Sequence, residues 1–431
     1  MKILFLAPQP FYQERGTPIA VRLAVEVLAK RKADKVDLLT YHEGQDIQIP
    51  GVSLHRIRVG AMARFLGLRN VGPGISCKKL LCDIIFLFTA LSLVRQSRHH
   101  NAPYHLVHAV EESVFIAWLI KRIWGIPYLY DMDSSLALQL AEKWWWVKPI
   151  APLLSWLEKL AVRESLAVVP VCDALALIAD RHGSRHTRVL SDISLLELPG
   201  SEGVQQGTPS RNGLGSGPSE SEKSRAHIDI RAEMRVPYPS KVLLYIGNLE
   251  RYQGIDLLIE SFASIAKSFP DAHLAIIGGS AAHVALYQAK AKSLLVSSQV
   301  HLLGPRPISE LNSYLTNVSI LVSPRVLGNN TPMKVYSYLH SGVPILATRL
   351  PTHTQVLTDQ VAQLAEPRPE EFGKAMAELL ASPELCAKLG TQARALAESR
   401  YTFAQFEKTL SSIYDTVRQA VEQPAARRAA A

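Results

Sequence analysis

The segment SPRVLGNNTPMKVYSYLHSGVPILAT, residues 323–348, contains every part of one strand–loop–helix–strand unit. A strand ends at its start, a polar loop rich in Gly and Asn follows, and Thr331 can cap a helix that Pro332 begins. Gly342 ends that helix, and VPILAT at 343–348 is typical of a following buried strand. Repetition of this unit predicts an α/β fold with parallel sheets covered by helices on both faces.

The same alternation runs along the chain before this segment. Short apolar runs typical of strands lie at 2–7, 35–40, 52–57, 104–109, 127–131, 166–171, 242–247, 273–279, 300–304 and 318–324. Amphipathic helical patterns separate these runs, and a long helical tail ends the chain. We therefore expect two Rossmann-like domains with a ligand cleft between them, because ligands of open parallel sheets lie beyond the carboxyl ends of the strands.

A break in composition separates the two halves. From Pro199 to Arg225 the chain has six Gly, six Ser and three Pro, so it lacks the apolar surface needed to order itself. The expected domains are an N-terminal Rossmann-like domain over 1–198, a flexible Gly/Ser-rich linker or insert over 199–235, a C-terminal Rossmann-like domain over 236–400, and a C-terminal helix over 401–431 that returns to the first domain and ends in a disordered tail.

Composition excludes several classes of protein. The 431 residues are 48% hydrophobic and 20% charged, which excludes a disordered or fibrous chain. The four cysteines are scattered without a CxxC motif, so neither a disulfide scaffold nor a structural zinc site is expected. The apolar run at 80–94 contains Asp83 and is too short to span a bilayer, and the N-terminus has no signal-peptide pattern, so we expect a cytoplasmic protein.

Three features of the second half point to an anionic ligand. The turn after the strand at 242–247 contains Gly247 and precedes a helix, whose N-terminus suits a phosphate, although a plain turn explains it equally well. Gly278 and Gly279 end the next strand, where the backbone could approach a ligand or simply turn. Lys334 lies in a first helical turn, where the helix dipole disfavours a cation unless an anion binds there.

In this order and spacing, the motifs resemble retaining glycosyltransferases of family 4, which have the GT-B fold. The motifs that carry the resemblance are RGTPIAVRLAVEVLA (15–29), HLVHAVEES (105–113), YIGNLERYQGIDLLIESF (245–262), LAIIGG (274–279), VHLLGPRPISELNSYLTNVSILVSP (300–324), SYLHSGVPILAT (337–348) and RYTFAQFEKTL (400–410). The resemblance implies transfer of a sugar from a nucleotide-diphosphate sugar, with retention. It also implies that no metal or other cofactor takes part.

The donor site departs from the family pattern. The Arg and Lys that grip the donor diphosphate fall at Asn248 and Gln253, and the second of the family's paired glutamates falls at Ser337. We interpret these changes as those of a subgroup that lacks the paired glutamates, with other cations as compensation. The candidate donor-binding residues are Gly16, Thr17, Gly247, Asn248, Arg251, Gln253, Gly278, Arg325, Asn329, Asn330, Thr331, Lys334 and Ser337.

Three residues of the first half are the catalytic candidates. Glu111 begins a helix after a strand, and a carboxylate there could position or deprotonate an acceptor hydroxyl. The helix dipole alone also explains it, and Glu112 is second choice. His108 ends the same strand, and the alternative is a histidine that only satisfies its neighbours there. Asp133 of YDMDSS is expected to line the acceptor side or to cap the next segment. A lone Asp-x-Asp does not indicate a metal site.

Basic residues between 55 and 98 flank the apolar run at 80–94, and Trp144–Trp146 add aromatic side chains. This pattern favours an anionic membrane surface, and the alternative is a buried core helix with solvated flanks. No recognition fold accompanies these bases, so a nucleic-acid partner is not expected.

The sequence thus predicts a retaining, metal-independent hexosyltransferase whose acceptor is a lipid-linked compound or a glycan. We expect this cytoplasmic protein to associate peripherally with the inner face of the membrane. Two alternatives remain, a non-catalytic GT-B subunit of a membrane glycosyltransferase complex and a sugar-nucleotide epimerase on the same fold.

Overall fold

The computed structural model describes residues 1–13, 16–45, 47–60, 71, 76–135, 149, 151–197 and 229–429. It divides into an N-terminal unit, Met1–Asp192 with Ala404–Ala431, and a C-terminal unit, Ile193–Phe403. Most of the expected linker, 199–228, lies outside the described residues. The remainder of it, up to residue 235, includes a short helix whose Ile230 is fully buried in the core of the C-terminal unit.

In the N-terminal unit, strands and helices alternate along the chain. Its strands are β1 Lys2–Leu6, β2 Lys35–Thr40, β3 Val52–Arg56, β4 Leu106–Val110, β5 Tyr128–Met132 and β6 Ala167–Pro170. Its helices are α1 Gly16–Lys30, α2 Cys77–His99, α3 Val114–Trp124, α4 Ala151–Glu164 and α5 Asp173–Arg181, joined by the C-terminal helix α14 Phe403–Ala429.

These six strands form one parallel sheet in the order β3-β2-β1-β4-β5-β6. The residues of β4 are buried on both faces of the sheet, as expected for a parallel strand covered by helices on either side. Arg31, just after α1, forms an ion pair with Asp415 of α14 at 2.6 Å, which helps to attach the last helix to this unit.

The C-terminal unit repeats this plan. Its strands are β7 Lys241–Ile246, β8 Ala272–Ile277, β9 Val300–Gly304, β10 Ile320–Ser323, β11 Ile345–Thr348 and β12 Gln363–Ala365. Its helices are α6 Ile230–Met234, α7 Ile255–Ile265, α8 Ala281–Ser293, α9 Leu311–Thr316, α10 Lys334–Ser341, α11 Pro351–Thr354, α12 Pro369–Ala381 and α13 Pro383–Arg400.

The second sheet is also parallel, in the order β12-β11-β10-β7-β8-β9. The short edge strand β12 is absent from the sequence prediction, because three residues give too little periodicity to detect. In each sheet the first strand lies between the second and the fourth of its unit, which is the doubly wound order of a Rossmann-like domain. The predicted α/β fold of two Rossmann-like domains is therefore confirmed. No helix in the described ranges is both long enough and apolar enough to cross a bilayer.

Candidate functional site

The switch point of the C-terminal sheet lies between β7 and β10, the strands from which the chain winds in opposite directions. Ligands of such sheets bind beyond the carboxyl ends of these strands. The loop after β7 begins at Gly247, and the loop after β10 begins at Pro324. Both loops contain candidate donor-binding residues, so the topology brings the two sets to one edge of the sheet.

Gly247 leaves no room for a side chain at this edge. Its φ is +153°, and a Cβ there would lie 2.9 Å from the hydroxyl oxygen of Tyr245 and 3.2 Å from Nζ of Lys334. A methyl group at Gly278 would overlap the carbonyl oxygen of Gly247. The two glycines therefore allow the strand ends to pack closely and place the Lys334 ammonium against the turn after β7.

Lys334 is the first residue of α10, and its ammonium group is enclosed. Nζ lies 3.7 Å from the centroid of the Tyr245 ring and 3.4 Å from Oε1 of Gln253. Burial, with a contribution from nearby Arg325, lowers the pKa of Lys334 well below its usual value. Within the described residues no carboxylate forms an ion pair with this group, so a bound anion would stabilise its ammonium form.

Arg325 brings a second cation to the loop after β10. It is 9% exposed, and the loop curls around it: Nε donates to the Leu327 carbonyl at 2.7 Å and Nη2 donates to Oδ1 of Asn330 at 3.0 Å. Gly328 has a φ of +114°, and a Cβ there would overlap the guanidinium group. These contacts fix the direction of the Arg325 side chain before any ligand binds.

Three further candidate donor-binding residues of these loops, Asn248, Arg251 and Asn329, differ in their contacts and exposure. The side chain of Asn248 accepts from the Glu250 amide at 3.3 Å and donates to Tyr252 at 3.2 Å, while Arg251 is exposed. The carbonyl of Asn329 accepts from Gln355 at 3.0 Å.

Thr331 does not cap α10. The helix begins at Lys334 without a side-chain cap. The buried Thr331 hydroxyl has no hydrogen-bond partner among the described residues. The expected cap is therefore wrong, because Pro332 and Met333 precede the first helical residue. The unsatisfied hydroxyl is a possible ligand contact.

Ser337 has a structural contact that the sequence does not reveal. It is 1% exposed, and its Oγ accepts a hydrogen bond from the Leu195 amide at 3.0 Å. This bond holds the 3-10 turn Leu195–Glu197 against α10 within the C-terminal unit. In this conformation the Ser337 hydroxyl is hydrogen-bonded to that turn, and the structure gives no support for its predicted contact with the donor.

The switch point of the N-terminal sheet lies between β1 and β4, and it carries carboxylates instead of cations. Glu111 follows β4 with a φ of +50°, a conformation that residues other than glycine rarely adopt. Its Oε1 accepts from the Ser134 hydroxyl at 3.5 Å. Glu112 forms an ion pair with Lys79 of α2. Of the two glutamates, Glu111 is thus the one directed toward the loop after β5.

Three aspartates share this edge with Glu111, and together the four form the acidic cluster of Glu111, Asp131, Asp133 and Asp192. Burial, then repulsion from Asp131 and Glu111, raises the pKa of Asp133 well above its usual range, although the Thr17 hydroxyl donates to it. Burial and Asp131 raise the pKa of Asp192 to about 7. The cluster therefore retains protons near neutral pH. Asp192 was not a sequence candidate, because nothing local distinguishes it.

Thr17 lies in the first turn of α1, which begins at Gly16. The space around Gly16 is open: a Cβ there would meet no atom within 4 Å. The predicted Gly16–Thr17 pair thus borders the acidic cluster of its own unit. In the described part of the chain, no three His, Cys, Asp or Glu side chains are grouped so that they could hold a metal ion.

His108 is buried within β4 and uses both ring nitrogens. Nδ1 lies 2.6 Å from the Tyr414 hydroxyl and Nε2 lies 3.1 Å from Oδ2 of Asp131. Its ring stacks on Phe5 with centroids 3.9 Å apart, and the residue is 1% exposed. No ring nitrogen remains for a substrate in this conformation, so the structure gives no support for the predicted catalytic role of His108.

Helix α2 presents apolar side chains on its outer face. Leu80, Ile84 and Phe88 are 60%, 45% and 65% exposed and lie four residues apart, so they form one apolar stripe. Arg95 and Arg98 are exposed near the end of the same helix. The opposite face, with Cys82, Phe86, Ala90 and Val94, is buried in the core. The predicted basic residues Arg64 and Arg69, and Trp144–Trp146, lie outside the described residues.

Comparison with known proteins identifies similar families and relatives that are glycosyltransferases. Models of two families match the chain: a glycosyl transferase 4-like domain over residues 15–191 and glycosyl transferases group 1 over residues 228–396. The D-inositol 3-phosphate glycosyltransferase of Corynebacterium glutamicum (strain R) is 27% identical over 374 residues, 83% of each chain.

Solved structures agree with this result. Sucrose-phosphate synthase from Thermosynechococcus elongatus has a TM-score of 0.73 at 18% identity, covering 97% of this chain and 99% of that one. Anabaena HepE in complex with UDP-glucose has a TM-score of 0.67 at 15% identity, covering 96% of this chain and 100% of that one. The predicted GT-B fold is confirmed.

Proposed function

This chain belongs to the group 1 glycosyltransferases of family 4, which use nucleotide sugars, and we propose that Lys334 and Arg325 bind the donor diphosphate. The observation that carries the proposal is the enclosed ammonium of Lys334, which lies against Gly247 with no acidic partner in the described ranges. Burying a cation without a counter-charge is costly, and a bound diphosphate supplies that charge.

This arrangement accounts for the missing family cations. The family's Lys falls at Gln253, whose Oε1 lies 3.4 Å from Nζ of Lys334. The positive charge therefore comes from α10 instead of the turn after β7, but it lies beside the same position. During transfer, Lys334 and Arg325 would stabilise the negative charge that develops on the departing diphosphate. Their fixed contacts mean that little reorganisation is needed at that moment.

A uridine diphosphate sugar is the first donor to test, because the structurally similar HepE was solved with UDP-glucose. We propose that the donor is bound without a metal or other cofactor, since the two cations can take the role that a divalent ion has in other transferases.

On the acceptor side, Glu111 is our candidate for orienting and deprotonating the acceptor hydroxyl, with Asp133 beside it. The acceptor oxygen would bond to the anomeric carbon as the bond from that carbon to the diphosphate breaks. Glu111 would take the hydroxyl proton and the nucleoside diphosphate would leave. Attack from the face on which the diphosphate departs would retain the anomeric configuration. The raised pKa of Asp133 suits a carboxyl group that donates a hydrogen bond to the acceptor.

We propose that the acceptor is linked to a lipid, in preference to a free glycan, and that α2 rests on an anionic membrane. A cavity of about 260 Å³ lies beside α2, where Ile84 and Leu87 line it together with Ile116 and with Glu112, the residue after Glu111. The apolar stripe and the arginines after it match acyl chains and anionic headgroups, at about 1 kcal/mol for each base near the surface. This would make the protein peripheral on the membrane face that holds its acceptor.

Vesicle sedimentation tests this surface. We expect the protein to sediment with vesicles containing about 30% anionic lipid, and Phe88→Glu to abolish sedimentation. The matched control is Leu295→Glu, since Leu295 is 90% exposed but lies in the C-terminal unit. Equal binding by Phe88→Glu and wild type would contradict the proposed surface.

Calorimetry tests the donor site. UDP, GDP, ADP and dTDP would be titrated into the protein in the presence of EDTA, and we expect selective binding of one, with UDP first. Binding of none by a folded sample would contradict the donor site and favour the non-catalytic subunit. Conversion of the nucleotide sugar without any acceptor, followed by chromatography, would favour the epimerase.

A further inference from the structure

The C-terminal helix α14 contributes a side chain to the interior of the N-terminal sheet. Tyr414, on this helix, is fully buried and reaches His108 of β4, a residue 306 positions earlier in the chain. The Tyr414 hydroxyl oxygen lies 2.6 Å from Nδ1 of His108, and the two rings are stacked with centroids 6.0 Å apart. The other ring nitrogen, Nε2, lies 3.1 Å from Oδ2 of Asp131.

The direction of these hydrogen bonds follows from the groups involved. Burial, then the nearby Asp131 carboxylate, raises the pKa of the Tyr414 phenol well above its usual value, so the phenol keeps its proton and is able to donate it to Nδ1. A neutral imidazole that accepts at Nδ1 carries its proton on Nε2. His108 must then donate from Nε2 to the carboxylate of Asp131. With Tyr414 as the donor, every group of the chain Tyr414–His108–Asp131 thus has a matching partner.

Asp131 is the member of this chain that meets the candidate acceptor site. It is the charge that acts on both Asp133 and Asp192 of the acidic cluster, and its side chain is 16% exposed. The contact with Nε2 of His108 involves only one of its two oxygens, Oδ2.

We infer that Tyr414 and His108 are positioning residues that orient the Asp131 carboxylate for the acceptor hydroxyl. The inference rests on the proposed function for the acceptor site beside Asp131, but its geometry can be tested alone. The hydrogen bond from Tyr414 fixes the tautomer of His108, and the Nε2–H of that tautomer fixes the orientation of the Asp131 carboxylate. Through the contact of Tyr414 with His108, helix α14 thereby helps to position a residue of the acceptor site.

Nitrogen NMR of the full-length protein labelled at histidine tests the tautomer, with His108→Gln used to assign the signal. We expect the neutral ring of wild-type His108 to carry its proton on Nε2, and Tyr414→Phe to give a mixture of tautomers. The matched control is Tyr104→Phe, because Tyr104 is also buried in this unit and donates to Asp37 at 2.6 Å. A wild-type proton on Nδ1, or a charged ring, would overturn the inference even if Tyr414→Phe failed to fold.

Kinetics test the consequence for transfer. Tyr414→Phe should lower kcat about three- to tenfold, the range expected for one buried hydrogen bond, while the Kd for the nucleotide stays unchanged. Tyr104→Phe should lose comparable thermal stability but keep its kcat. A Tyr414→Phe protein that loses the tautomer and transfers sugar at the wild-type rate would overturn the positioning role. Failure of the proposed function would appear separately, as a folded wild type that binds no nucleoside diphosphate in the calorimeter.

Discussion

The two sheets have the same strand order but opposite charge at their switch points. Beyond β7 and β10 lie Lys334 and Arg325, whereas beyond β4 and β5 lies the acidic cluster. The topology fixes where a ligand binds, and the residues at the strand ends decide which ligand it is. A cationic edge suits a diphosphate, while an acidic edge suits the hydroxyl that will attack. The predictions below test this division, from the largest expected effect to the smallest.

Removing the proposed base at the acidic edge should have the largest effect. Glu111→Gln should lower kcat about 100-fold, because a neutral amide cannot accept the proton, and it should leave the Kd for UDP unchanged. The matched control is Glu112→Gln, since Glu112 already pairs with Lys79. Equal kcat values for the two variants, measured with the same donor and acceptor, would remove Glu111 from the mechanism.

Removing the enclosed ammonium of Lys334, at the cationic edge, should instead weaken nucleotide binding. Lys334→Ala should weaken UDP binding about 30-fold, or about 2 kcal/mol, because one charged contact with the diphosphate is lost. Lys241→Ala is the control, because Lys241 lies at the opposite end of the same strand β7 and pairs with Asp271 at 3.7 Å. Calorimetry measures the Kd for UDP in both variants, and an unchanged Kd in Lys334→Ala would favour the non-catalytic subunit.

The same lysine should make nucleotide binding depend on pH. Since burial lowers the pKa of Lys334 in the free protein, raising the pH deprotonates it, and only the ammonium form attracts the diphosphate. The Kd for UDP should therefore rise with pH over a range that lies below the ordinary lysine pKa of about 10.4. Lys334→Ala should show a flat profile over that range. A flat profile in the wild type would mean that the lysine is not in contact with the ligand.

The smallest effect concerns stability at the acidic edge. The pKa of Asp192 is about 7 in the folded protein, above its unfolded value, so the folded state binds the extra proton between about pH 4 and pH 7. This contribution to stability is lost as the pH rises through that window. Asp192→Asn should therefore be more stable than wild type at pH 8, with no difference below pH 4.

Asp37 provides the contrasting case in denaturant titrations. Although burial disfavours its charge, hydrogen bonds from His55 and Tyr104 lower the pKa of Asp37 to about 2. Asp37→Asn should lose stability at neutral pH and approach wild type only in strong acid. If Asp192→Asn and Asp37→Asn shifted stability in the same direction, the Asp192 carboxyl would not be destabilised by its neighbours.

Most of the fold could be predicted from the sequence, because period-two and period-3.6 patterns are local. Eleven of the twelve described strands correspond to predicted runs, and the exception is the three-residue β12. The positions of the site loops could be predicted as well, since glycines such as Gly247 and Gly278 mark strand ends. The roles of individual side chains were harder to predict, as the cap at Thr331 and the contact of Ser337 illustrate.

By itself the sequence determined the two parallel sheets, the helices that cover them and the edge at which each site lies, because these depend on neighbouring residues. Only the tertiary structure decided which charges meet. Lys334 meets Gln253 across 81 positions, and His108 meets Tyr414 across 306 positions. The protonation of Lys334, Asp133 and Asp192 depends on burial and on the charges that folding brings near them, and no local pattern in the chain encodes either quantity.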